Sequence, residues 1–226
     1  MRTKILSCRT LEREVRLAME SCGCRWELEV LRDSNHDVPA RLRSRIQEKL
    51  DAMENIDRVL LAFTTCGGAM TGLRSGAFEL VIPRLDDCLS LLMGSMEHKK
   101  EVLEGSFGLF VTQGWLEHES NTAAQLEHIR SKYPAARAKR IIETMYGNFD
   151  SLNVIDTGAY DVHAILPRTE ALARELNLKH RIVEGTLDRL ENLLQGPYDP
   201  QQFITIPPHT VVTETDTLLK PPIFSK

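Results

Sequence analysis

Eight short runs of β-branched and aliphatic residues alternate with amphipathic stretches, and this alternation is the strongest constraint on the fold. The runs are KILS at 4–7, WELEVL at 26–31, VLLAF at 59–63, ELVI at 79–82, LFVT at 109–112, LNVID at 152–156, RIVEG at 181–185 and FITI at 203–206. Between several of them apolar positions recur at helical spacing: Leu11, Val15, Ala18 and Cys22; Leu42, Ile46, Leu50 and Met53; Leu89, Leu92, Met93 and Met96. Pro134 divides the helical stretch 122–146, because proline lacks the N–H and crowds the preceding turn. Strands that alternate with helices predict an α/β fold, Rossmann-like and doubly wound: a mostly parallel sheet with helices on both faces. The expected organisation is a single α/β domain over 1–206. From Pro207 the chain turns to Pro and Thr without helical period, so 207–226 is expected to be an extended or poorly ordered tail.

The 226 residues are 42% apolar and 27% charged, the balance of an ordinary globular protein. A net charge of −4 and the lack of a basic stripe argue against nucleic acid as a partner, since phosphate binding needs clustered Lys and Arg. The basic stretch RSKYPAARAKR at 130–140 reads as the solvated face of a helix. No apolar run reaches the roughly 18 residues of a membrane helix, and the first residues lack a signal peptide's apolar region. The expectation is a cytoplasmic protein without membrane contact. In that reducing compartment five cysteines favour packing, metal binding or catalysis over disulfides.

A parallel sheet sends the carboxyl end of every strand to one edge, where ligand crevices form in open α/β folds. Cys8 follows the first run, Cys66 follows the third in the loop TTCGGAMTG, and Cys88 follows the fourth in PRLDDC. Three distant thiols are thereby delivered to one edge. Helix starts favour anions, which predicts lowered thiol pKa values at Cys8 and Cys88. Asp86 is expected to cap the helix that follows, and Gly67 and Gly68 to supply positive φ for close backbone approach. Spacing alone leaves two readings open, a shared thiol site and three separate buried fillers. The C-x-C pair Cys22 and Cys24 is assigned to packing.

Four blocks, SCRTLEREV at 7–15, TTCGGAMTGLRSG at 64–76, LVIPRLDDCLSLLMGS at 80–95 and GLFVTQGWLE at 108–117, together resemble the family known as domain of unknown function 1638. Cys8, Cys66, Arg84, Asp87 and Cys88 match its pattern residue by residue. The resemblance implies that the three thiols act as one unit. It also implies service in corrinoid-dependent methyl-transfer systems, with a corrinoid reached only through a partner protein.

Three thiolates with an open fourth position suit zinc, while iron or an Fe–S cluster is a chemically sound alternative. Asp87 is the candidate catalytic proton acceptor. The candidate substrate-binding residues are Arg84, Gly67, Gly68, Trp115, Glu117, Asp156 and Tyr160, with Arg84 able to grip a carboxylate or to pair with Asp86 or Asp87. His118 and His163 read as solvated rather than as ligands. The expected partners are a small-molecule substrate or a corrinoid protein, with a homo-oligomer compatible. Whether the chain is a methyltransferase-like enzyme or an accessory stays open, as do a metal-free thiol enzyme and a non-catalytic assembly module. No dinucleotide loop, phosphate loop or nucleophile elbow is present.

Overall fold

The computed structural model describes residues 1–32 and 38–219. In chain order the elements are β1 (Thr3–Cys8), α1 (Glu12–Ser21), β2 (Glu27–Leu31), α2 (Pro39–Asp51), β3 (Arg58–Ala62), β4 (Glu79–Pro83), α3 (Cys88–Leu92), α4 (Met96–Leu103) and β5 (Gly108–Val111). There follow α5 (Gln113–Leu116), α6 (Thr122–Lys132), α7 (Ala135–Tyr146), β6 (Ser151–Asp156), α8 (Val162–Leu176), β7 (Lys179–Glu184), α9 (Asp188–Gln195), β8 (Phe203–Ile206) and α10 (Glu214–Thr217). Every run read as a strand is one. The helix read from Leu89 to Met96 is two helices, because Gly94 takes φ +81° and turns the chain between them.

The strands divide between two sheets, each in its own compact unit. The first unit, residues 1–96 and 187–226, holds the sheet β2-β1-β3-β4-β8. Its first four strands are parallel and β8 is antiparallel to β4, with Pro83 opposite Phe203 and Leu80 opposite Ile206. Alternate residues face opposite sides of a strand, and both sides are dry here. Leu6, Val59, Leu61, Leu80 and Ile82 cluster with Leu42, Ile46 and Leu50 of α2. Ile5, Leu60 and Val81, one residue out of step, are equally buried on the other side, where α1 and α9 pack together.

The second unit, residues 97–186, holds the wholly parallel sheet β5-β6-β7. Leu152 and Val154 of β6 pack with Leu126, Tyr146, Ile165 and Leu172 from the surrounding helices. The split has a simple cause. After β4 the chain forms α3 and α4 instead of returning to the first sheet, and the free edge of β4 is taken by β8, so β5 pairs only with β6.

Residues 207–219 belong to the first unit, with a turn at 208–209, Val211 bridged to Arg74 and the short helix α10. The rest of the expected tail, 220–226, lies outside the described residues. No helix among the described residues is long and apolar enough to cross a membrane.

Candidate functional site

Because β1, β3 and β4 are parallel neighbours, their carboxyl ends lie side by side. Cys8 is the last residue of β1, 1% exposed, with its Sγ 3.0 Å from Thr10 Oγ1. Beyond β3 the chain runs through Thr64 and Thr65 into a single 3-10 turn at Cys66–Gly68. Cys66, Gly67 and Gly68 have φ of +43°, +64° and +87° in succession. Glycine adopts such values freely, and a cysteine there is strained by roughly 1–2 kcal/mol.

That strain is held by its surroundings. Arg43 of α2 donates to the carbonyls of Gly68 at 3.1 Å and Ala69 at 3.3 Å. Thr64 Oγ1 lies 3.2 Å from Cys66 Sγ. Thr65 joins this loop to the next one, its N–H donating to Leu85 O and its hydroxyl to Asp86 O.

Cys88 opens α3 and is 8% exposed. The cap of this helix is Asp87 and not Asp86: Asp87 Oδ1 accepts from Ser90 N at 2.9 Å. Asp86 instead accepts from the Ser90 hydroxyl, which leaves both carboxylates engaged by one serine.

The lowered thiol pKa expected for Cys88 is overturned. Burial pushes this thiol well above its ordinary value, and the neighbouring charges of Cys66, Asp87 and Cys8 push it further. A five-residue helix offers little field to oppose that desolvation. Cys66 is also raised, by burial first and then by Cys8 and Asp87, against hydrogen bonds from Thr64. Three thiols and one carboxylate therefore form one electrostatic cluster, in which each ionisation opposes the next. As the side chains stand, no group of three or more His, Cys, Asp or Glu among the described residues is arranged to hold a metal ion.

The remaining sequence candidates fall elsewhere. Arg84 pairs with neither Asp86 nor Asp87 in its hydrogen bonds. Its guanidinium donates to the carbonyls of Pro200, Asp216 and Leu218. Trp115, Glu117, Asp156 and Tyr160 belong to the carboxyl edge of the other sheet, because their strands pair in the second unit. There Trp115 Nε1 is buried without a hydrogen bond, and Glu117 accepts from Gln113 Nε2 at 2.8 Å. Asp156 accepts from Gly158 N, and the Tyr160 hydroxyl donates to Ile155 O. His118 bonds with Ser120, and His163 is exposed. Cys22 and Cys24, assigned to packing, flank Gly23 at φ +64° and are both part-exposed.

The site residues missed from sequence are Thr10, Thr64, Thr65, Ser90 and Arg43. The first two carried a signal, since CRT and TTC place each hydroxyl two residues from a thiol. Arg43 carried none, because its partner is a carbonyl brought close only by folding.

The first unit thus defines the class: a Rossmann-like α/β unit whose sheet edge bears two buried thiols and a half-buried one. The chain belongs to the family described as protein of unknown function (DUF1638), whose model matches residues 30–194. The match contains Cys66, Arg84, Asp87 and Cys88 and begins after Cys8. No curated protein and no solved structure matches the chain.

Proposed function

We propose that this chain is a metal-thiolate protein in which Cys8, Cys66 and Cys88 hold a borderline or soft divalent cation, zinc before iron. The carrying observation is the mutual influence of the three thiols and Asp87 on one sheet edge. Buried groups that cannot all ionise alone are suited to a cation that neutralises them together, and metal binding drives thiol deprotonation. The donor set fits such an ion in chemistry, three sulfurs with an oxygen nearby. In their present arrangement the side chains do not form a group able to hold a metal ion among the described residues, so binding on this reading includes a rearrangement of the site.

A bound cation would supply a lowered pKa to a substrate thiol or water in its open position. The chain's own residues do the rest. Thr10 and Thr64 are placed to donate their hydroxyls to the sulfurs of Cys8 and Cys66 once these are thiolates. Asp87, beside Cys88, is positioned to take a proton while its other role holds α3. The strained Cys66 loop supports a functional reading, since strain of this kind persists where the surroundings enforce it.

The setting we propose is corrinoid-linked one-carbon metabolism, as a methyltransferase-like enzyme or a metal-handling accessory that meets a small-molecule substrate or a corrinoid protein. This rests on the family resemblance. A metal-free thiol nucleophile is less well supported, because burial raises Cys66 and Cys88 instead of activating them.

The test is metal analysis of the untagged, full-length protein beside the Cys8→Ser/Cys66→Ser/Cys88→Ser variant and a Cys22→Ser/Cys24→Ser control. About one metal per chain is expected in the wild type and the control, and little in the triple variant. Equal metal in all three overturns the proposal. Should the triple variant not fold, cobalt(II) titration decides: each single Cys→Ser change must weaken the sulfur-to-cobalt absorption of the wild type.

A further inference from the structure

The chain beyond β8 returns to the thiol edge. β8 runs antiparallel to β4, so it enters beside Pro83 at the carboxyl edge and leaves beside Leu80 at the opposite one. His209, at φ +57°, reverses the chain, and its N–H donates to Gly76 O. Residues 210–212 then run back beside 72–75. Ser75 N donates to Thr210 O at 2.9 Å, Gly72 N to Val212 O at 2.8 Å and Val212 N to Leu73 O at 2.8 Å. Val212 is fully buried and fixes this return to the core.

The return ends in α10, a single turn closed by the reciprocal bonds of Thr213 and Asp216. This turn touches both thiol loops. Thr217 Oγ1 lies 3.0 Å from Thr71 Oγ1, five residues after Cys66. Arg84, four residues before Cys88, donates through Nη1 to Asp216 O at 2.8 Å and Leu218 O at 3.2 Å, and through Nε to Pro200 O at 3.0 Å. An arginine fork is suited to gathering three carbonyls, whereas a lysine presents one compact charge.

We infer that residues 207–218 form a strap across the carboxyl edge that holds the Cys66 loop and the Cys88 loop together, with Arg84 as its positioning residue. The inference rests on the reading of the three thiols as one site. It assigns Arg84 to the polypeptide itself and not to a substrate carboxylate. Opening the strap releases both loops, and with them the half-buried Cys66 and the buried Cys88, so it controls the entry of an ion or reagent.

Alkylation rates of the five cysteines, measured by mass spectrometry on full-length protein in excess chelator, test this without reference to metal. In Arg84→Ala the rates of Cys66 and Cys88 are expected to rise about tenfold through easier local opening, with Cys22 and Cys24 unchanged. Arg84→Lys should fall between, and Thr217→Val should give a smaller rise at the same two thiols. Unchanged rates in Arg84→Ala, or an equal rise at all five thiols, overturn the strap. If Arg84→Ala does not fold, Thr217→Val carries the test by the same criteria. Because chelator is present throughout, a protein that never binds metal still reports on the strap, and a metal-binding protein can still refute it.

Discussion

The carboxyl edge of the five-stranded sheet presents two buried thiols and a third, half-buried, on strained backbone, while that of the three-stranded sheet presents oxygens engaged by nearby backbone. In the second unit Thr112 caps α5, Asn121 caps α6 and Asp161 caps α8, each accepting from a backbone N–H. Asp156 and Tyr160 are likewise held by Gly158 N and Ile155 O. In the first unit Cys66 stands at positive φ, and its sulfur, with those of Cys8 and Cys88, shares one electrostatic cluster with Asp87. All five cysteines lie between residues 8 and 88, within the first unit. The two edges obey the same rule of chain direction. What separates them is the kind of group delivered: carboxylate and hydroxyl oxygens held by backbone at one edge, thiols and a carboxylate that oppose one another's ionisation at the other.

The largest effect that sharpens this contrast comes from beneath the thiols. Leu60 is fully buried at the centre of the five-stranded sheet. Leu60→Ala should cost about 2–5 kcal/mol in urea unfolding, from lost transfer energy and the cavity left behind. A loss below about 1 kcal/mol would show that the frame under the thiol edge is loosely packed.

Alkaline pH should separate the edges next. Cys88 and Cys66 hold their protons more tightly in the folded chain than in the unfolded one. Their contribution is fully present below the ordinary thiol value, about 8.5, and is lost as pH rises toward the higher folded values. Stability measured from pH 8 to 11 should therefore fall, and more gently in Cys88→Ala. An identical slope in that variant breaks the claim that the buried thiol resists ionisation.

Asp87 carries two roles that two substitutions divide. Asp87→Ala removes the cap of α3 and should cost about 1 kcal/mol. Asp87→Asn keeps a capping oxygen but removes a negative charge beside Cys88 and Cys66, so both thiols should titrate at lower pH with stability nearly unchanged. Thiol absorbance followed against pH reads this directly. No downward movement in Asp87→Asn would remove the carboxylate from the cluster.

Much of this contrast was legible in sequence, and the failures have identifiable causes. Strands such as β3, β4 and β6 announced themselves because buried parallel strands are short, continuous and aliphatic. That Cys8, Cys66 and Cys88 each follow a strand of one parallel set, at its carboxyl end, could be read from chain direction. The two-sheet division was hidden, since the partner of β5 is decided by distant pairing and by β8 covering the edge of β4. The carbonyl partners of Arg84 were hidden too, because PRLDDC gives no sign of Asp216 and Leu218, more than a hundred residues away. The direction of the Cys88 shift was misjudged because dipole position can be read from sequence, but depth of burial cannot.

The smallest effect lies at the other end of the first sheet, toward the start of its strands. There Lys4 of β1 contacts Glu27 and Glu29 of β2 at 2.9 Å, and Lys49 of α2 contacts Glu29 at 2.8 Å. Burial alone would raise Glu29, but hydrogen bonds from Lys49 and Lys4 outweigh it and hold the carboxyl below its ordinary value. The sign is opposite to that of the thiols. Its contribution is present above the ordinary glutamate value, about 4.3, and is lost as pH falls through the lower folded value. Glu29→Gln should cost about 0.2–1 kcal/mol at neutral pH and flatten the acid side of the stability curve, leaving the alkaline side as it was. If Glu29→Gln altered the alkaline limb instead, the two ends of this sheet would be coupled, and the thiol edge could not be treated as a chemistry of its own.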